Sequence, residues 1–451
     1  MKKVFRNFFS LVLTTVLLSG ICAGAVGPDS PDYSELAAVW APTIYQDVTT
    51  SYDVRADFLT RFDFDGDWAG GNNWENTFSY PLTSAVYYSV QETETHYFIN
   101  YFFFHPRDDG PISAEKHEND FEGALFVIKK DGTPYGSFVL METQAHNHFY
   151  QYSNDSSIID GSDDIDGAVI FDNGHPCVYI SPNGIGTNAG HGVRAYDGSA
   201  AQGDDGIIYR YTDGLSMVPE NASGNYEYVY DYELISMDVF WERRYDIGGP
   251  DSTFGAFGQL YGDTYGKNKA KMPWAWDDPD DGPAMIGVNW SDPAHFVDVH
   301  FDGLGDFSHT YLYNPYFSHM ITINSITSLS NEDAFNDESD IYLYLTADNE
   351  KQIDARFWKF NQAELNVPKS VFFGKDNAEF GDHFSEAYNT LYICMNRDIE
   401  IVFEVRDADA LGAYNSMGTV SITPAPDETI ILDAQLTSDG KAMISAVVVT
   451  N

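Results

Sequence analysis

The stretch Tyr101-Phe-Phe-Phe-His-Pro-Arg-Asp-Asp-Gly110 is followed, after a short polar segment, by Lys116-His-Glu-Asn-Asp-Phe-Glu-Gly123. The aromatic run at residues 101–104 is typical of a buried strand. A second strand is predicted at residues 124–129, directly after the segment 116–123. Side chains two positions apart on a strand share one face, so Asp120 and Glu122 project together while the aromatic residue between them turns away. The stretch therefore predicts two strands, with two carboxylates side by side where the second begins.

Strand patterns dominate the rest of the chain as well. Segments rich in Tyr, Phe, Val and Ile recur between clusters of Gly, Asn and Asp, and few windows have a helical period, residues 34–40 being one of them. The other predicted strands are 84–90, 96–104, 176–180, 206–211, 226–235, 341–345, 370–373, 391–395, 399–405, 418–422 and 442–449. This pattern predicts an all-β fold.

The domain organisation follows from a change in sequence texture. Trp and Gly become sparse beyond residues 313–320. We therefore predict a large β-sandwich over residues 26–320 and a smaller one over residues 321–451, which agrees with the usual sizes of such domains.

Composition and charge exclude several classes of protein. The 451 residues carry a formal charge of −45, from 69 Asp and Glu against 24 Lys and Arg, so binding of a nucleic acid through a basic face is excluded. With 43% hydrophobic and 15% aromatic residues, the chain can bury a large core, which disordered acidic chains cannot. The surplus of acid is either a solvated surface or, in part, a set of loops that bind hard cations.

The N-terminus predicts export. Residues 1–25 read as a secretory signal peptide, with Lys2, Lys3 and Arg6 before an apolar stretch at residues 8–18 and small residues at 23–25. No later segment reaches about 18 uninterrupted apolar residues, so we predict no transmembrane segment. The expected location is secreted or extracellular, and the oligomeric state stays open.

A predicted metal site lies within residues 101–123. His117 precedes Asp120 by three residues, and Asp109 stands in the loop before it. Asp109, His117, Asp120 and Glu122 together offer carboxylates and one imidazole, which suit a divalent cation such as Ca²⁺ or Mg²⁺. The alternative is a polar strand edge with a hydrogen-bonded histidine.

The spacing Asp-x7-His-x2-Asp-x-Glu resembles the metal-binding signature of the necrosis- and ethylene-inducing-peptide-like proteins. The run 117–122 is also similar to the His-Glu-x-Asp-Trp-Glu stretch of the vacuolar-protein-sorting-62-like proteins, with Phe121 in place of Trp. Stretches at 36–45, 175–179 and 190–192 resemble further motifs of the second group, so the resemblance spans roughly residues 36–313.

This resemblance implies a β-sandwich with a bound divalent cation. In the plant-active members, the cation supports engagement of membrane sphingolipid headgroups and cytolysis. Asp108 could take the place of Asp109, because Pro106-Arg107-Asp108 parallels a Pro-Lys-Asp of the family.

Three further histidines are candidates for a catalytic or substrate-facing role. His146 and His148 are two apart, so on a strand both would face one side, and the alternative is a surface pair. His191 lies in a loop flanked by glycines, which would let it approach a ligand closely.

A second candidate calcium loop contains Asp63, Asp65 and Asp67. Alternate carboxylates in a tight loop with Gly66 would let several oxygens converge on one cation. The alternative is an acidic turn before Trp74.

The C-terminal part contains acidic loops at predicted strand ends. The candidate calcium residues are Asp333, Asp340, Asp407, Asp409 and Asn415. Their arrangement resembles a C2-type domain, which implies calcium-dependent docking on phospholipid. Ile341 replaces a Pro of that pattern and Asn415 replaces an acid. The alternative is a plain β-sandwich with solvated turns.

Three functions follow from these patterns. The first is a secreted, divalent-cation-dependent β-sandwich protein that engages membrane lipid or glycolipid headgroups, with the C2-like domain aiding calcium-dependent docking. The second is a metal-dependent extracellular hydrolase of phosphoester or ester substrates, although the chain has no Gly-x-Ser-x-Gly elbow, zinc helix or Walker loop. The third is a cell-surface structural protein with cation-braced loops.

Overall fold

The computed structural model describes residues 31–49, 53–109, 116–146, 148–183, 190–199, 205–262, 270–277, 286–330, 340–347, 350–353, 360–361, 369–372, 390–408 and 414–451. These residues form mostly strands in several sheets, so the predicted all-β fold is confirmed. The predicted signal peptide, Asp333 and Asp409 lie outside the described residues. No helix in the described part is long and apolar enough to cross a membrane.

The helices are short. They are α1 (Tyr33–Val39), α2 (Asn73–Asn76), α3 (Asp238–Trp241), α4 (Val288–Ser291) and α5 (Pro293–His300), with 3₁₀ turns at Val54–Asp57 and Pro273–Ala275. The helical period at residues 34–40 corresponds to α1, whose N-cap Asp32 accepts a hydrogen bond from the Ser34 backbone N–H at 2.8 Å.

The strands before residue 314 are β1 (Thr43–Asp47), β2 (Ala85–Thr93), β3 (His96–Asp108), β4 (His117–Lys129), β5 (Ser137–Ala145), β6 (His148–Ser153), β7 (Ile159–Asp160), β8 (Ile165–Gly167), β9 (Phe171–Asp172), β10 (His175–Ile180), β11 (Val193–Ala195), β12 (Gly206–Tyr209), β13 (Asn225–Tyr230), β14 (Glu233–Ser236), β15 (Phe254–Ala256), β16 (Gln259–Leu260), β17 (Phe301–Asp302) and β18 (Tyr311–Tyr313). The later strands are β19 (His319–Ser328), β20 (Asp340–Ala347), β21 (Glu350–Ile353), β22 (Phe360–Asn361), β23 (Lys369–Phe372), β24 (Thr390–Ile393), β25 (Ile401–Ala408), β26 (Tyr414–Ile422), β27 (Thr429–Leu436) and β28 (Ala442–Thr450).

The first part of the chain is a sandwich of two sheets. One has the order β11-β10-β1-β12-β13 with β9 beside β10, and the other has the order β14-β2-β3-β4-β5-β6-β8 with β18 beside β2. Alternate residues of the aromatic hairpin β3–β4 point between the sheets, so Ile99, Phe103 and Phe126 share a buried cluster with Ile44 and Ile207.

The opposite face of the larger sheet is also buried, because α3 to α5 and a Trp-rich segment cover it. Phe102, Phe104 and Phe121 point to this side and belong to one cluster with Trp274 and Trp290. The hairpin that decides the fold therefore lies at the middle of three layers, which explains why its side chains are apolar or aromatic on both faces.

The C-terminal strands form two further sheets, with the orders β23-β19-β28-β27, where β24 also pairs β19, and β21-β20-β25-β26, where β22 also pairs β20. Among the described residues, no sheet joins a strand before residue 314 to one after residue 318. The boundary at 320/321 stays a prediction, and it would fall near the start of β19.

A buried carboxylate in this core makes stability depend on pH. Asp292 caps α5 and accepts a hydrogen bond from the Tyr311 hydroxyl at 2.8 Å, and burial raises the pKa of Asp292 to about 7. Between pH 4 and 7 the folded chain keeps this proton while the unfolded chain releases it, so wild-type stability falls as the pH rises through that range.

The Asp292→Asn variant cannot ionise at this position. We expect its free energy of unfolding, relative to wild type, to rise by about 1–3 kcal/mol between pH 4 and pH 8. Urea unfolding at both pH values measures this difference, with the exposed Asp433→Asn as the control. A difference that is the same at both pH values would contradict the assignment.

Candidate metal centre

The predicted ligands lie at the open end of the β3–β4 hairpin. In its register Asp108 stands opposite His117, and His105 stands opposite Asp120. Asn119 adopts a left-handed φ of 58° within β4, and the charge of Asp120 acts on His117 three residues away. We call Asp108, His117, Asp120, Glu122 and His191 the hairpin-end cluster.

The first contact of this cluster joins Asp108 and His117. The Nε2 atom of His117 lies 3.3 Å from Oδ2 of Asp108, and its Nδ1 donates to the Asn119 carbonyl oxygen at 2.8 Å. Burial lowers the pKa of His117, but the hydrogen bond to Asp108 and the charge of Asp120 outweigh burial and raise the pKa to about 9. The imidazole is therefore held as a cation among carboxylates.

Asp109 points away from this cluster. Its Oδ2 accepts from Nη2 of Arg107 at 2.9 Å, and its Oδ1 lies 2.7 Å from Nζ of Lys116. Consecutive side chains of an extended chain face opposite sides, so only one of the two neighbouring aspartates can contact His117, and the structure places Asp108 there.

Asp120 is held by a buried relay of two carboxylates and one imidazole. The Nδ1 atom of His191 lies 2.9 Å from Oδ2 of Asp120, and its Nε2 lies 3.0 Å from Oδ1 of Asp57. Burial lowers the pKa of His191, yet the hydrogen bonds to Asp120 and Asp57 raise it to about 10. Burial likewise opposes ionisation of Asp120, and the bond to His191 holds the pKa of Asp120 well below its usual value.

His105 completes this arrangement as a neutral ring. It stacks on His191 with 3.7 Å between the ring centroids, and its Nε2 contacts Oε1 of Gln46 at 3.1 Å. Burial lowers the pKa of His105 far below its usual range, and the positive His191 acts in the same direction. The stack therefore pairs one charged and one uncharged imidazole.

One group of three metal-ligating side chains is present among the described residues. His105, Asp120 and His191 offer ligand atoms that all lie within 4.8 Å of one another. Both ring nitrogens of His191 already face carboxylates, so a cation at this point would compete with the imidazolium for Asp120. Carboxylate oxygens beside it are the better ligands for a hard cation.

Two such oxygens are available. Among the described residues, Oε2 of Glu122 and Oδ1 of Asp108 are buried without a hydrogen-bond partner. Burial raises the pKa of Glu122 far above its usual value, with the charge of Asp120 as the next cause. A buried carboxylate oxygen without a partner is costly, and a divalent cation would offset that cost. The chemistry of these oxygens therefore suits such an ion, although among the described residues Asp108, Asp120 and Glu122 do not form a group whose ligand atoms all lie within 4.8 Å of one another.

A glycine loop packs closely against the cluster. Gly190 has a φ of 120°, and a Cβ atom there would lie 3.0 Å from Oδ2 of Asp108 and 3.1 Å from Cε1 of His146. A side chain at this position would be tight against both neighbours and strained at this φ, so glycine suits the position directly before His191.

The other two candidate histidines do not share a face. A turn joins β5 to β6 between them, so His146 sits in the turn with a φ of 62°, and its backbone N–H donates to Oε1 of Glu122 at 3.3 Å. His148 begins β6 and is exposed. The two histidines therefore do not lie on one uninterrupted strand, and a catalytic or substrate-facing role for either stays a prediction.

The second acidic loop consists of turns that use its carboxylates separately. Asp63 pairs with Arg61 at 3.1 Å, Asp65 accepts from Nδ2 of Asn76 at 2.6 Å, and Asp67 accepts from the Ala69 backbone N–H at 2.8 Å. In the described part of the chain, these three do not form a group with ligand-like spacing. Calcium binding there stays a prediction.

The C2-like residues that the structure describes lie on neighbouring strands. Asp407 on β25 stands opposite Ile341 on β20 and Asn415 on β26, with Asp340 next to Ile341. The Asp407 side chain is fully buried and Asn415 is exposed. Because the remaining acids of this loop set lie outside the described residues, the calcium site itself stays a prediction.

Sequence reasoning missed Asp57, Gln46 and His105. Asp57 is in a 3₁₀ turn far along the chain from His191, and no motif marks it. His105 could have been found from the sequence, because pairing residues 101–108 with residues 117–123 as an antiparallel hairpin places His105 opposite Asp120.

Comparisons with known proteins give partial likenesses. No protein-family model and no curated protein matches the chain. A structure described as "Toxin fold for microbial attack and plant defense" is 12% identical, with 51% of this chain and 88% of that chain covered and a TM-score of 0.28. Necrosis and Ethylene inducing Protein 2, from the causal agent of cocoa's Witches Broom disease, is 12% identical, with 48% and 77% covered and a TM-score of 0.25.

A further likeness is to another kind of domain. A C2 domain of plant Extended Synaptotagmin 1 is 15% identical, with 29% of this chain and 92% of that domain covered and a TM-score of 0.19. At such identity, coverage and TM-score these likenesses assign the chain to no family.

Proposed function

We propose that this chain is an exported, divalent-cation-dependent β-sandwich protein that engages membrane lipid or glycolipid headgroups through the hairpin-end cluster. The observation that supports this most directly is the pair of buried carboxylate oxygens, on Asp108 and Glu122, that have no hydrogen-bond partner among the described residues. Asp120 lies within the same cluster and supplies a third carboxylate.

The roles of the side chains follow from their contacts. Asp108, Asp120 and Glu122 would hold the ion, and His117 and His191 fix the first two carboxylates by hydrogen bonds. A bound divalent ion supplies positive charge that attracts phosphate or sugar oxygens. The C2-like part, with Asp407 at a strand end, would add calcium-dependent docking.

Charge explains why a cation is needed. With a formal charge of −45, the chain is repelled by an anionic bilayer, and a bridging cation would remove this repulsion locally. The same charge repels nucleic acids.

Calorimetric titration of the purified chain with Ca²⁺ and Mg²⁺ tests the site. We expect Asp108→Asn and Glu122→Gln to weaken binding at least about tenfold to hundredfold, because each removes a ligand oxygen. Asp109→Asn is the matched control, since Asp109 pairs with Arg107 and Lys116 instead. Equal heats for wild type, Asp108→Asn and Glu122→Gln would exclude the site.

Vesicle co-sedimentation tests the headgroup. Phosphatidylcholine vesicles alone, with a glycosylated sphingolipid and with an anionic phospholipid are compared in Ca²⁺ and in chelator. We expect cation-dependent binding that Glu122→Gln weakens. Cation binding without any vesicle binding would overturn the headgroup proposal while leaving the metal site intact.

A further inference from the structure

A second recess lies on the flank of the sandwich, beside α1 and away from the hairpin-end cluster. It has a volume of about 430 Å³ and is walled by tyrosines, with two aspartates in its lining. Its aromatic and acidic residues are Tyr33, Tyr88, Tyr313, Tyr316, Asp32 and Asp238. No residue of the predicted metal site takes part.

The tyrosines are fixed in place. Tyr33 and Tyr313 pack with 4.6 Å between their ring centroids, and the Tyr33 hydroxyl donates to Oε2 of Glu92 at 2.6 Å. Tyr316 is almost fully buried, and its hydroxyl donates to Oδ1 of Asp238 at 2.9 Å. The walls are therefore preformed, which reduces the entropy lost when a ligand binds.

The charged groups that line the recess are all negative. Its lining contains no Lys, Arg or His, and in the described part of the chain Asp32 and Asp238 form no ion pair. Burial raises the pKa of Tyr88, and the charges of Asp238 and Asp32 add to that rise. An anionic ligand would thus be repelled.

A neighbouring recess of about 400 Å³ extends this lining and shares Ser34 and Tyr88 with it. It adds Tyr211 with further carboxylates, of which Glu233 is already paired with Arg61 at 3.1 Å. Aromatic and acidic groups therefore line both recesses, and we call the two recesses together the trough.

We propose that this trough binds an organic ammonium ion. Tyrosine rings attract a cation through their negative faces, and the alkyl part of such a ligand packs against the same rings. The carboxylates at the rim balance the positive charge, which a neutral apolar ligand would leave uncompensated. The volume lies within the range of small-molecule sites.

Choline and spermidine are suitable probes of the full chain, titrated calorimetrically in chelator so that the hairpin-end cluster holds no divalent ion. We expect saturable binding of at least one of them. 3,3-Dimethyl-1-butanol, which has the shape of choline without its charge, should not bind. Binding of choline alone assigns a quaternary ammonium, and binding of spermidine alone assigns a polyamine.

Two substitutions locate the site. Asp238→Asn keeps the acceptor for Tyr316 and removes the charge, and we expect the dissociation constant to rise at least about tenfold. Tyr313→Leu should have a similar effect through loss of the ring. Asp433→Asn, on an exposed strand of the C-terminal part, makes the same change in net charge and should leave binding unchanged.

Three results would overturn this proposal. They are no saturable binding of either probe, equal binding of the uncharged alcohol, and equal weakening by Asp433→Asn and Asp238→Asn. Because Asp238 is exposed, its variant is expected to fold, so a loss of binding there cannot be attributed to unfolding when the circular dichroism spectrum is unchanged.

Discussion

Replacing His191 by Phe should lower the free energy of unfolding by about 3–5 kcal/mol at neutral pH, since it leaves buried carboxylates without their shared cation. In the structure His191 is fully buried and bonds Asp120 at 2.9 Å and Asp57 at 3.0 Å. Phenylalanine keeps a flat ring that can still stack on His105, so the loss reports the charge and the two hydrogen bonds rather than a change of volume.

Urea unfolding in chelator measures this loss. His175→Phe is a suitable control, because its ring makes one hydrogen bond to the Ala41 carbonyl oxygen at 2.7 Å, and we expect a cost of about 1 kcal/mol. A loss for His191→Phe no larger than that of the control would show that the relay contributes no more than an ordinary hydrogen bond.

Adding Ca²⁺ to the same variant distinguishes a metal-binding role of the cluster from a purely structural one. With His191 gone, Oδ2 of Asp120 also becomes available as a ligand atom, so a cation that binds at the cluster should restore part of the lost stability. No restoration by Ca²⁺ or Mg²⁺ would show that the relay is structural and that the ion, if bound, does not use Asp120.

The hairpin was predictable because its signals are local. The aromatic run 101–104 and the pair Asp120 and Glu122 each determine a strand and a face within a few residues, and both lie in the hairpin β3–β4. Sequence spacing alone does not predict which of Asp108 and Asp109 faces His117. That depends on the register between β3 and β4, which the length of the loop between them does not determine.

The relay behind Asp120 depends on non-local packing. His191 reaches Asp120 because β10 pairs in parallel with β1 and so brings the following loop to the hairpin end, and Asp57 arrives from a separate turn. No periodicity encodes such a meeting of three segments. The short helices α4 and α5 were missed for a related reason, because their apolar residues face a core on most sides and show little periodicity.

Replacing Trp290 by Ala should cost about 3–5 kcal/mol of unfolding free energy, the range for removing a fully buried aromatic side chain. Trp290 is the residue where several parts of the core meet. Its ring lies 5.6 Å from Phe102 of the central hairpin, 5.6 Å from Trp274 and 4.3 Å from Tyr316, measured between centroids. The cavity left by Ala would be lined by large rings that cannot collapse into it.

Trp290→Phe separates volume from polarity. The indole Nε1 is buried and has no hydrogen-bond partner among the described residues, so Phe removes an unsatisfied donor while keeping a ring of similar position. We expect it to cost less than about 2 kcal/mol. Urea unfolding followed by circular dichroism compares the two variants. A loss for Ala as small as the one expected for Phe would show that the core tolerates the cavity, and that packing around Trp290 is looser than these ring distances imply.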